Sequence, residues 1–394
     1  MSALAPVVDT RQAARPSTYA GPSTPPSPYL ELSVPVAVEH YRSLAAALPG
    51  TAVHYAVKAN PEPALLRALH EAGSSFDVAS PAEVLAALAA GAAPDELVYS
   101  NPVKRRSDIA FAARHGVRLF VVDSPEETVK VAAAAPGSAV LCRLVTSGEG
   151  SDWPLSRKYG CSTGEAVRIL VAAAALGLEP AGVSFHVGSQ QRDPEAWGPP
   201  IAAAARVFDE LRAEGLRPWL LDLGGGFPAR LADDGAAGCP PLAEYGAAID
   251  RHLTRAFGPT GPDRPRTLVE PGRGIVAEAG LLHSRVLAVI DRGGTRWVFL
   301  DAGVFTGLVE TIEEAIRYPV TTSRDRDGGP RVPCVLAGPT CDSADVLYEQ
   351  AMVHLPADLA EGDWVRLESA GAYTSCYSTV GFNGFPPLPT LLRA

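Results

Sequence analysis

The stretch Ala52–Ala72, AVHYAVKANPEPALLRALHEA, contains the structural unit that is repeated through most of the chain. Its first part, Ala52–Val57, is rich in β-branched and aromatic residues and predicts a strand. After a short link, apolar residues recur at three- and four-residue steps across Pro63–Ala72, which predicts an amphipathic helix. Repeated β/α units of this kind form a parallel sheet that is covered by helices.

The β/α rhythm continues from about Val34 to Pro271. Further strands are predicted at Leu97–Tyr99, Leu119–Val122, Ala139–Val145, Gly182–Val187, Leu220–Leu223 and Thr267–Glu270. Further helices are predicted at Pro81–Gly91, Glu126–Ala135, Gly164–Leu176, Pro199–Glu214 and Leu242–Phe257. Seven or eight such units in about 240 residues favour a TIM-type (β/α)8 barrel over an open sheet.

The pattern changes after about Gly274. Runs typical of strands, separated by Gly, Asp and Pro turns, occur at Leu281–Ile290, Arg296–Asp301, Val332–Ala337 and Asp363–Leu367. The polar stretch Thr321–Pro330 is expected to be a surface loop. We therefore predict an α/β protein in three parts: a flexible Pro-rich tail with a lead-in strand that joins the β domain (1–33), a barrel (34–273) and a C-terminal β domain (274–394).

Composition excludes several classes of function. The chain has 394 residues, of which 47% are apolar, and a net charge of -10 without a basic stripe, which argues against binding to nucleic acid. No apolar run approaches the roughly 20 residues of a membrane span, and the tail, Met1 to about Tyr29, lacks an apolar core of the length expected for a secretion signal. The six cysteines have no metal-ligand spacing and are expected to be buried, reduced thiols in a cytoplasmic protein.

Several predicted barrel strands are followed by polar residues that could take part in catalysis or binding. Active sites of barrels are built at this end of the strands. Lys58 follows apolar residues, so burial is expected to lower its pKa and make it a nucleophilic amine. The alternative is an ordinary lysine that extends to solvent. His186 and Ser189 follow another strand and suit a flat ring and a phosphate, although a lone histidine is more often a satisfied core residue.

Two further strand ends suit a phosphate. The Gly224–Gly226 turn can bring backbone N–H groups close to an anion. Glu270 and Arg273 can reach opposite ends of one ligand, the acid at a ring nitrogen and the arginine at a phosphate. The alternatives are a tight loop for the glycines and a structural salt bridge for Glu270 and Arg273. In the β domain, Cys341 beside Asp342 suggests a proton donor next to a site for a cation.

Six motifs in this order resemble the fold-type III decarboxylases that use pyridoxal phosphate (PLP), most closely the ornithine/lysine decarboxylase branch. They are YAVKAN (55–60), FHVGSQ (185–190), LGGGFP (223–228), EPGR (270–273), GPTCDSAD (338–345) and GAYT (371–374). The resemblance extends from about Val34 to the C-terminus. It implies a PLP-binding barrel joined to a β domain, as in alanine racemase.

The resemblance also implies a role for each site residue. Lys58 would form a Schiff base with PLP, His186 would stack on its ring, Glu270 would pair with the ring nitrogen, and Cys341 would protonate the substrate Cα. The other residues expected around the cofactor are Asp77, Arg143, Ser189, Gly224, Gly225, Gly226, Gly272, Arg273 and Tyr373. The active site would be shared in a homodimer, with Cys341, Asp342 and Phe382 reaching the other subunit's cofactor and Lys158 pairing with Asp345 across the interface.

The substrate is less well defined by the sequence. Asp342 is expected to contact the distal amine of a basic amino acid, aided by Glu310, Glu313 or Glu314 in the segment that matches the family's specificity element. A solvated helix face is the alternative for these three glutamates. Ornithine and lysine are the leading substrates, arginine and diaminopimelate are rivals, and an inactive regulatory relative is the alternative from another class.

Overall fold

The computed structural model describes residues 26–232, 239–261, 264–325 and 329–393. The strands are β1 (Tyr29–Ser33), β2 (Thr51–Ala56), β3 (Ser75–Val78), β4 (Leu97–Tyr99), β5 (Leu119–Val122), β6 (Ala139–Arg143), β7 (Ser151–Trp153), β8 (Glu179–Ser184), β9 (Ser189–Gln191), β10 (Leu220–Asp222), β11 (Arg266–Val269), β12 (Gly280–Arg292), β13 (Thr295–Leu300), β14 (Val320–Thr322), β15 (Arg331–Ala337), β16 (Val346–Pro356), β17 (Trp364–Leu367) and β18 (Thr390–Arg393). The α-helices are α1 (Val34–Ala47), α2 (Pro63–Glu71), α3 (Pro81–Ala89), α4 (Arg106–Arg114), α5 (Pro125–Ala134), α6 (Thr163–Ala175), α7 (Gly198–Ala213), α8 (Leu242–Phe257) and α9 (Arg273–Val276).

Eight parallel strands close into a barrel, in the order β2, β3, β4, β5, β6, β8, β10 and β11, and β11 pairs again with β2. This confirms the predicted (β/α)8 barrel. Side chains such as Val98, Val121 and Leu268 form an apolar cluster with other strand residues, and a larger cluster lies between the strands and the helices. The carboxyl ends of all eight strands therefore meet at one rim.

Local sequence signals explain where several barrel helices begin. The Ser80 and Ser124 hydroxyls accept hydrogen bonds from backbone N–H groups in the first turns of α3 and α5. Ser162 and Glu165 form a reciprocal capping box at the start of α6. The prediction missed β3, which has only four residues, and the helices α1 and α4.

The second unit is a mixed β sheet. Strands β14, β17, β12, β13, β15 and β16 neighbour each other in this order, and β1 pairs with β12 and β18 at one side. Its apolar core is separate from that of the barrel. The loop predicted for Thr321–Pro330 was partly wrong, because residues 321–322 pair with β17. Residues 326–328 of this segment lie outside the described part of the chain. Most of the predicted tail, residues 1–25, also lies outside it.

The two units meet at the end of β2. The Asn60 side chain donates a hydrogen bond to the Gly371 carbonyl oxygen at 2.8 Å, and the Tyr373 N–H donates to the Ala59 carbonyl oxygen at 2.8 Å. The turn that contains Lys58 is thus fixed between barrel and β domain. Within the described ranges, the helices are all too short or too polar to span a bilayer.

Candidate active site

A cavity of about 770 Å³ lies at the carboxyl rim of the barrel, within the usual range for small-molecule sites. The segment Trp153–Tyr159 and the side chains of Tyr373 and Tyr377 complete its wall. The sequence-predicted residues that line it are Lys58, Arg143, His186, Ser189, Gly226, Glu270, Gly272, Arg273, Glu310 and Tyr373. Residues from five strand ends and from the β domain therefore converge as the motifs indicated.

Lys58 lies in a short 3-10 turn after β2, and its ammonium group contacts the Asp77 carboxylate on neighbouring β3. Asp77 is 1% exposed, whereas the Lys58 side chain is 44% exposed toward the cavity. Burial by itself would lower the pKa of Lys58, but the charges of Asp77, Tyr373 and Glu270 and the hydrogen bond to Asp77 together outweigh burial, and the pKa is raised. The expectation of a lowered pKa was therefore wrong, because it omitted the neighbouring acid.

Glu270 follows β11 and is 8% exposed. The Ser100 hydroxyl, at the end of β4, donates a hydrogen bond to its Oε1 atom. Burial, reinforced by the nearby charge of Asp77, raises the pKa of Glu270 to about 7. A carboxyl group with this pKa can accept or release a proton near neutral pH.

Arg273 is 3% exposed at the start of α9. Its Nη2 donates to Glu310 Oε1 at 2.7 Å, its Nε donates to Ser189 Oγ at 3.3 Å, and its guanidinium group lies 5.1 Å from the centre of the Tyr373 ring. The buried Nη1 has no hydrogen-bond partner among the described residues. The suggested salt bridge between Glu270 and Arg273 is not formed, and Arg273 retains a donor for a ligand.

The glycine turn after β10 lies directly against His186. A Cβ atom on Gly226 would lie 2.4 Å from the Gly188 carbonyl oxygen, and one on Gly225 would lie 3.2 Å from His186 Nε2. The Gly188 N–H donates to His186 Nδ1 at 3.0 Å, so this nitrogen is unprotonated. Burial, followed by the charge of Arg143, lowers the pKa of His186 to about 3 and keeps the ring neutral.

Sequence reasoning missed two residues that shape this rim. Ser100 contacts Glu270, and Lys104, which is 4% exposed, donates from Nζ to the carbonyl oxygens of Asn101, Pro102 and Val121 at 2.9, 3.0 and 2.6 Å. Lys104 thereby fixes the turn that carries Ser100 and part of the cavity wall. Their position just beyond strand Leu97–Tyr99 was the available signal, since polar residues at this edge of a barrel are candidates for function.

The three glutamates that were expected to bind the substrate lie in three different environments. Glu310 lines the cavity but is paired with Arg273, and Glu313 is exposed outside the cavity wall. Glu314 accepts backbone N–H groups of Glu349, Gln350 and Ala351 at 2.7, 2.7 and 3.0 Å. The assignment of Glu313 and Glu314 to the substrate is therefore corrected: neither faces this cavity, and Glu314 holds its segment against β16.

Replacing Glu314 with Ala should lower the free energy of unfolding by about 1–2 kcal/mol, because three backbone N–H groups would lose a charged acceptor. Burial opposes ionisation, but the three amides outweigh it and lower the pKa of Glu314. The stabilisation by its charge is thus complete above the unfolded pKa and is lost as the pH falls through the lower folded value. Urea titrations should show wild type and Glu314→Gln converging in acid, with Glu313→Ala as a nearly neutral control.

Cys341, Asp342 and Phe382 lie apart from the cavity of their own chain. Cys341 and Asp342 are exposed; the Cys341 N–H donates to Asn383 Oδ1 at 2.9 Å, and the Phe382 ring lies 4.8 Å from that of Phe305. We call the surface group formed by the exposed residues Cys341, Asp342 and Asn383 and the half-buried Phe382 the thiol face. A second chain would be needed to bring this face to a cavity.

Two expectations about this region need correction. Asp345 is 2% exposed and accepts hydrogen bonds from the Val304 N–H and from the N–H and hydroxyl of Thr340. Because both of its oxygens are buried and hydrogen-bonded within the chain, the predicted pairing with Lys158 of another subunit is not supported. The cysteines were all expected to be buried, but Cys341 and Cys376 are exposed and Cys239 is half-buried.

The cavity combines an amine, a carboxyl group that titrates near neutrality, a buried arginine with a spare donor, and a glycine turn. An amine can attack an aldehyde, the acid can pair with a ring nitrogen, and the arginine and turn can bind a phosphate. The distances between these groups are set by adjacent strands, not by mobile side chains alone. The site therefore fits a flat, phosphorylated aldehyde cofactor.

Comparisons with known proteins agree with this chemistry. The model of the family "Pyridoxal-dependent decarboxylase, pyridoxal binding domain" matches residues 36–277. Lysine/ornithine decarboxylase from Selenomonas ruminantium is 35% identical over 367 residues, covering 93% of this chain and 90% of that protein. The crystal structure of SrLDC with PLP and cadaverine has a TM-score of 0.83 at 35% identity, covering 93% and 90% of the two chains.

Other relatives carry different names. The arginine decarboxylase of Paramecium bursaria Chlorella virus has a TM-score of 0.85 at 29% identity, covering 94% of this chain and 96% of that one. Antizyme inhibitor 2 of Xenopus laevis is 34% identical over 364 residues, covering 89% and 77%. Similarity therefore extends to proteins whose names do not include lysine or ornithine decarboxylase.

Proposed function

The chain belongs to the family of pyridoxal-dependent decarboxylases, and we propose that it decarboxylates L-ornithine to putrescine or L-lysine to cadaverine. It is a PLP-dependent amino acid decarboxylase of the basic amino acid group. The observation that carries the proposal is the convergence of Lys58, Glu270 and Arg273 on one cavity. We also propose that the enzyme is located in the cytoplasm and takes part in polyamine synthesis.

The residues present fit PLP. Lys58 would bind the aldehyde carbon and Glu270 the ring nitrogen, while Arg273, Ser189 and the Gly224–Gly226 turn would bind the phosphate. The unpartnered Nη1 of Arg273 and the closeness of the glycine turn to the Gly188 carbonyl oxygen support this orientation. His186 would cover one face of the ring, and Gly272, Tyr373 and Arg143 would complete the enclosure.

When bound, PLP supplies an electron-withdrawing ring that accepts the electron pair of the Cα–carboxylate bond as carbon dioxide leaves. The Asp77 carboxylate contacts Lys58 Nζ and can accept and return its proton. The lysine can therefore lose and regain this proton during exchange with the substrate amine. The Glu270 carboxylate would accept a hydrogen bond from the ring nitrogen and so stabilise a proton there. His186 is neutral and adds no positive charge beside the ring.

We further propose that the enzyme is a homodimer whose active sites are shared. The thiol face of the partner subunit would lie over each cavity, where Cys341 would protonate the substrate Cα and Phe382 would contribute to the wall. The exposure of Cys341 and Asp342, and their absence from the cavity of their own chain, support this arrangement. Lone monomers are then expected to be inactive.

The charge distribution also bears on the substrate. Glu310 is paired with Arg273, and Asp77 with Lys58, so the acids of one chain are already engaged. Asp342 of the partner subunit is then the acid available for a distal amine. One acid suits a substrate with a single distal positive charge, which favours ornithine or lysine over the zwitterionic end of diaminopimelate. Arginine remains a rival because its distal group is also a single cation.

A parallel assay tests the substrate. Carbon dioxide release should be fastest with L-ornithine or L-lysine when the PLP-loaded enzyme is given equal concentrations of these, L-arginine and meso-diaminopimelate. Replacing Asp342 with Asn should raise the KM for the preferred substrate because a charge-assisted contact is lost, whereas Asp325→Asn, a surface change in the β domain, should not. Faster turnover of arginine or diaminopimelate would overturn the proposed substrate.

An inactive regulatory protein is the second candidate, since antizyme inhibitor 2 is among the relatives. The presence of Lys58, Glu270, Arg273 and Cys341 favours an enzyme. A protein that binds PLP but releases no carbon dioxide from any of the four substrates would favour the regulator.

Replacing Arg273 with Met should weaken PLP binding by about 10- to 100-fold, because charge-assisted hydrogen bonds would be lost. It should also lower the free energy of unfolding by about 3–5 kcal/mol, because Glu310 would remain as a buried unpaired charge. The double variant Arg273→Met, Glu310→Gln separates these effects: urea titration should show recovered stability, and equilibrium dialysis should show PLP binding still weak. Recovered binding in the double variant would contradict the phosphate role.

A further inference from the structure

Two buried carboxyl groups lie on neighbouring strand ends at the cavity, which Glu270 lines and Asp222 does not. Asp222 ends β10 and is 1% exposed, and Glu270 follows the neighbouring strand β11. Asp222 pairs in register with Leu268, and Glu270 lies two residues further on, so both side chains point to the same side of the barrel wall. The Glu270 N–H donates to the Gly224 carbonyl oxygen at 2.9 Å, which fixes the two loops together.

The hydrogen bonds of this pair are incomplete unless one acid carries a proton. Asp222 Oδ1 accepts the Gly224 N–H at 2.8 Å, but the buried Oδ2 has no donor among the described residues. Glu270 accepts the Ser100 hydroxyl at Oε1. Two ionised carboxylates in contact without a donor between them would be strongly unfavourable in a buried site.

We propose that Asp222 is a positioning residue: it is retained as a neutral acid, donates a hydrogen bond to Glu270, and with Ser100 holds Glu270 as the carboxylate that faces the cofactor. This inference rests on the proposed function for the part that concerns the ring nitrogen. Its basis in the protein is the buried, donor-less oxygen of Asp222 beside a second buried acid.

The surrounding charges agree with a proton on Asp222. Burial, followed by the charge of Glu270, raises the pKa of Asp222 well above the ordinary carboxyl value, and Asp77 acts in the same direction. Lys58 and Arg143 lower the pKa of Glu270, which opposes the effects of burial and of Asp77 on that residue. The positive groups therefore favour the charge on Glu270, and the proton on Asp222.

The consequence concerns the proton at the ring nitrogen. With donors from Asp222 and Ser100, Glu270 is a fixed and moderately basic acceptor. Without the Asp222 proton, Glu270 becomes more basic and competes for the proton that the ring needs. A solely structural Asp222, which caps the Gly224 N–H, would affect PLP affinity but not the protonation of the ring.

Infrared spectroscopy of the PLP-free protein tests the proton directly. The difference spectrum between wild type and Asp222→Asn at neutral pH should contain the carbonyl stretch of a buried neutral carboxylic acid, and this band should be absent from the difference between wild type and the control Ser74→Ala. Ser74 is a buried hydroxyl residue immediately before β3, at the amino end of that strand. Absence of the band overturns the inference without bearing on catalysis.

Nitrogen NMR with PLP labelled at the ring nitrogen tests the consequence. Wild type and Asp222→Asn, which retains a donor, should show a protonated ring nitrogen. Asp222→Leu should shift the signal toward the unprotonated value and weaken PLP binding about tenfold, and Ser100→Ala should shift it in the same direction. An unchanged signal in both Asp222→Leu and Ser100→Ala overturns the inference, whereas failure of wild type to bind PLP overturns the proposed function instead.

Discussion

Lys58→Ala should reduce carbon dioxide release by at least about a thousandfold, because a covalent attachment point and its proton exchange are lost together. The variant should also lose the visible absorbance of lysine-bound PLP after desalting. Borohydride reduction of the wild type, followed by peptide mapping, should find the cofactor fixed to Lys58. The structure supports this expectation because the Lys58 amine is exposed to the cavity while its partner Asp77 is buried.

Lys58→Arg is the matched variant for this experiment. It retains a positive charge beside Asp77, so the stability of the barrel rim should be close to that of the wild type, yet a guanidinium group will not replace the amine at an aldehyde. Lys130→Ala is the control for loss of a lysine, because Lys130 pairs with Glu127 away from the cavity. Retained activity in Lys58→Arg, or cofactor attached to another lysine, would contradict the assignment.

The fold could be predicted because its signals are local. The alternation that begins at Ala52–Ala72 recurs through helix Leu242–Phe257, and the structure has a strand and a helix at nearly every predicted place. The missed strand Ser75–Val78 is short, contains Asp77 and is followed closely by Ser80, so its apolar pattern is weak. Its absence from the prediction also concealed that Asp77 lies beside Lys58.

The convergence of the candidate site residues on one cavity could be predicted from the sequence, but their electrostatics could not. Lys58, Glu270 and Arg273 lie at strand ends in dense motifs, and their convergence follows from parallel strands that finish at one rim. The sign of the pKa shift of Lys58 depends on Asp77 on the neighbouring strand. Likewise, Glu310 and Glu314 look equivalent in the sequence, but one pairs with Arg273 and the other binds the amides of β16. These partners are set by tertiary contacts that no local pattern contains.

Cys341→Ala should reduce carbon dioxide release by about 10²–10⁴-fold, the usual contribution of a positioned general acid, while leaving PLP attached to Lys58. Cys376→Ser is the matched comparison. Cys376 is the other exposed thiol of the described residues, and its Sγ lies 3.3 Å from the Lys58 carbonyl oxygen, so it is the rival proton donor. Retained activity in Cys376→Ser together with loss in Cys341→Ala would assign the proton to Cys341.

The proposed sharing of active sites between subunits makes a sharper prediction for mixtures of two inactive chains. In a dimer of Lys58→Ala with Cys341→Ala, one cavity has an intact Lys58 and receives the intact thiol face of the other subunit, whereas the second cavity lacks both groups. Random pairing of equal amounts should therefore restore about one quarter of the wild-type activity, since half the dimers are mixed and each has one complete site. Co-expression with two affinity tags allows the mixed dimers to be purified and their activity and PLP content measured.

The outcome distinguishes a shared site from a site built within one chain. If Cys341 acted in its own subunit, a mixed dimer would have a lysine without a thiol in one cavity and a thiol without a lysine in the other, and activity would not return. The structure favours recovery, because Cys341 is exposed on the β domain and does not line the cavity that contains Lys58 of the same chain. Mixed dimers that bind PLP but remain inactive would require the proton donor to lie within the chain that carries the lysine, where Cys376 and Tyr373 would be the next residues to replace.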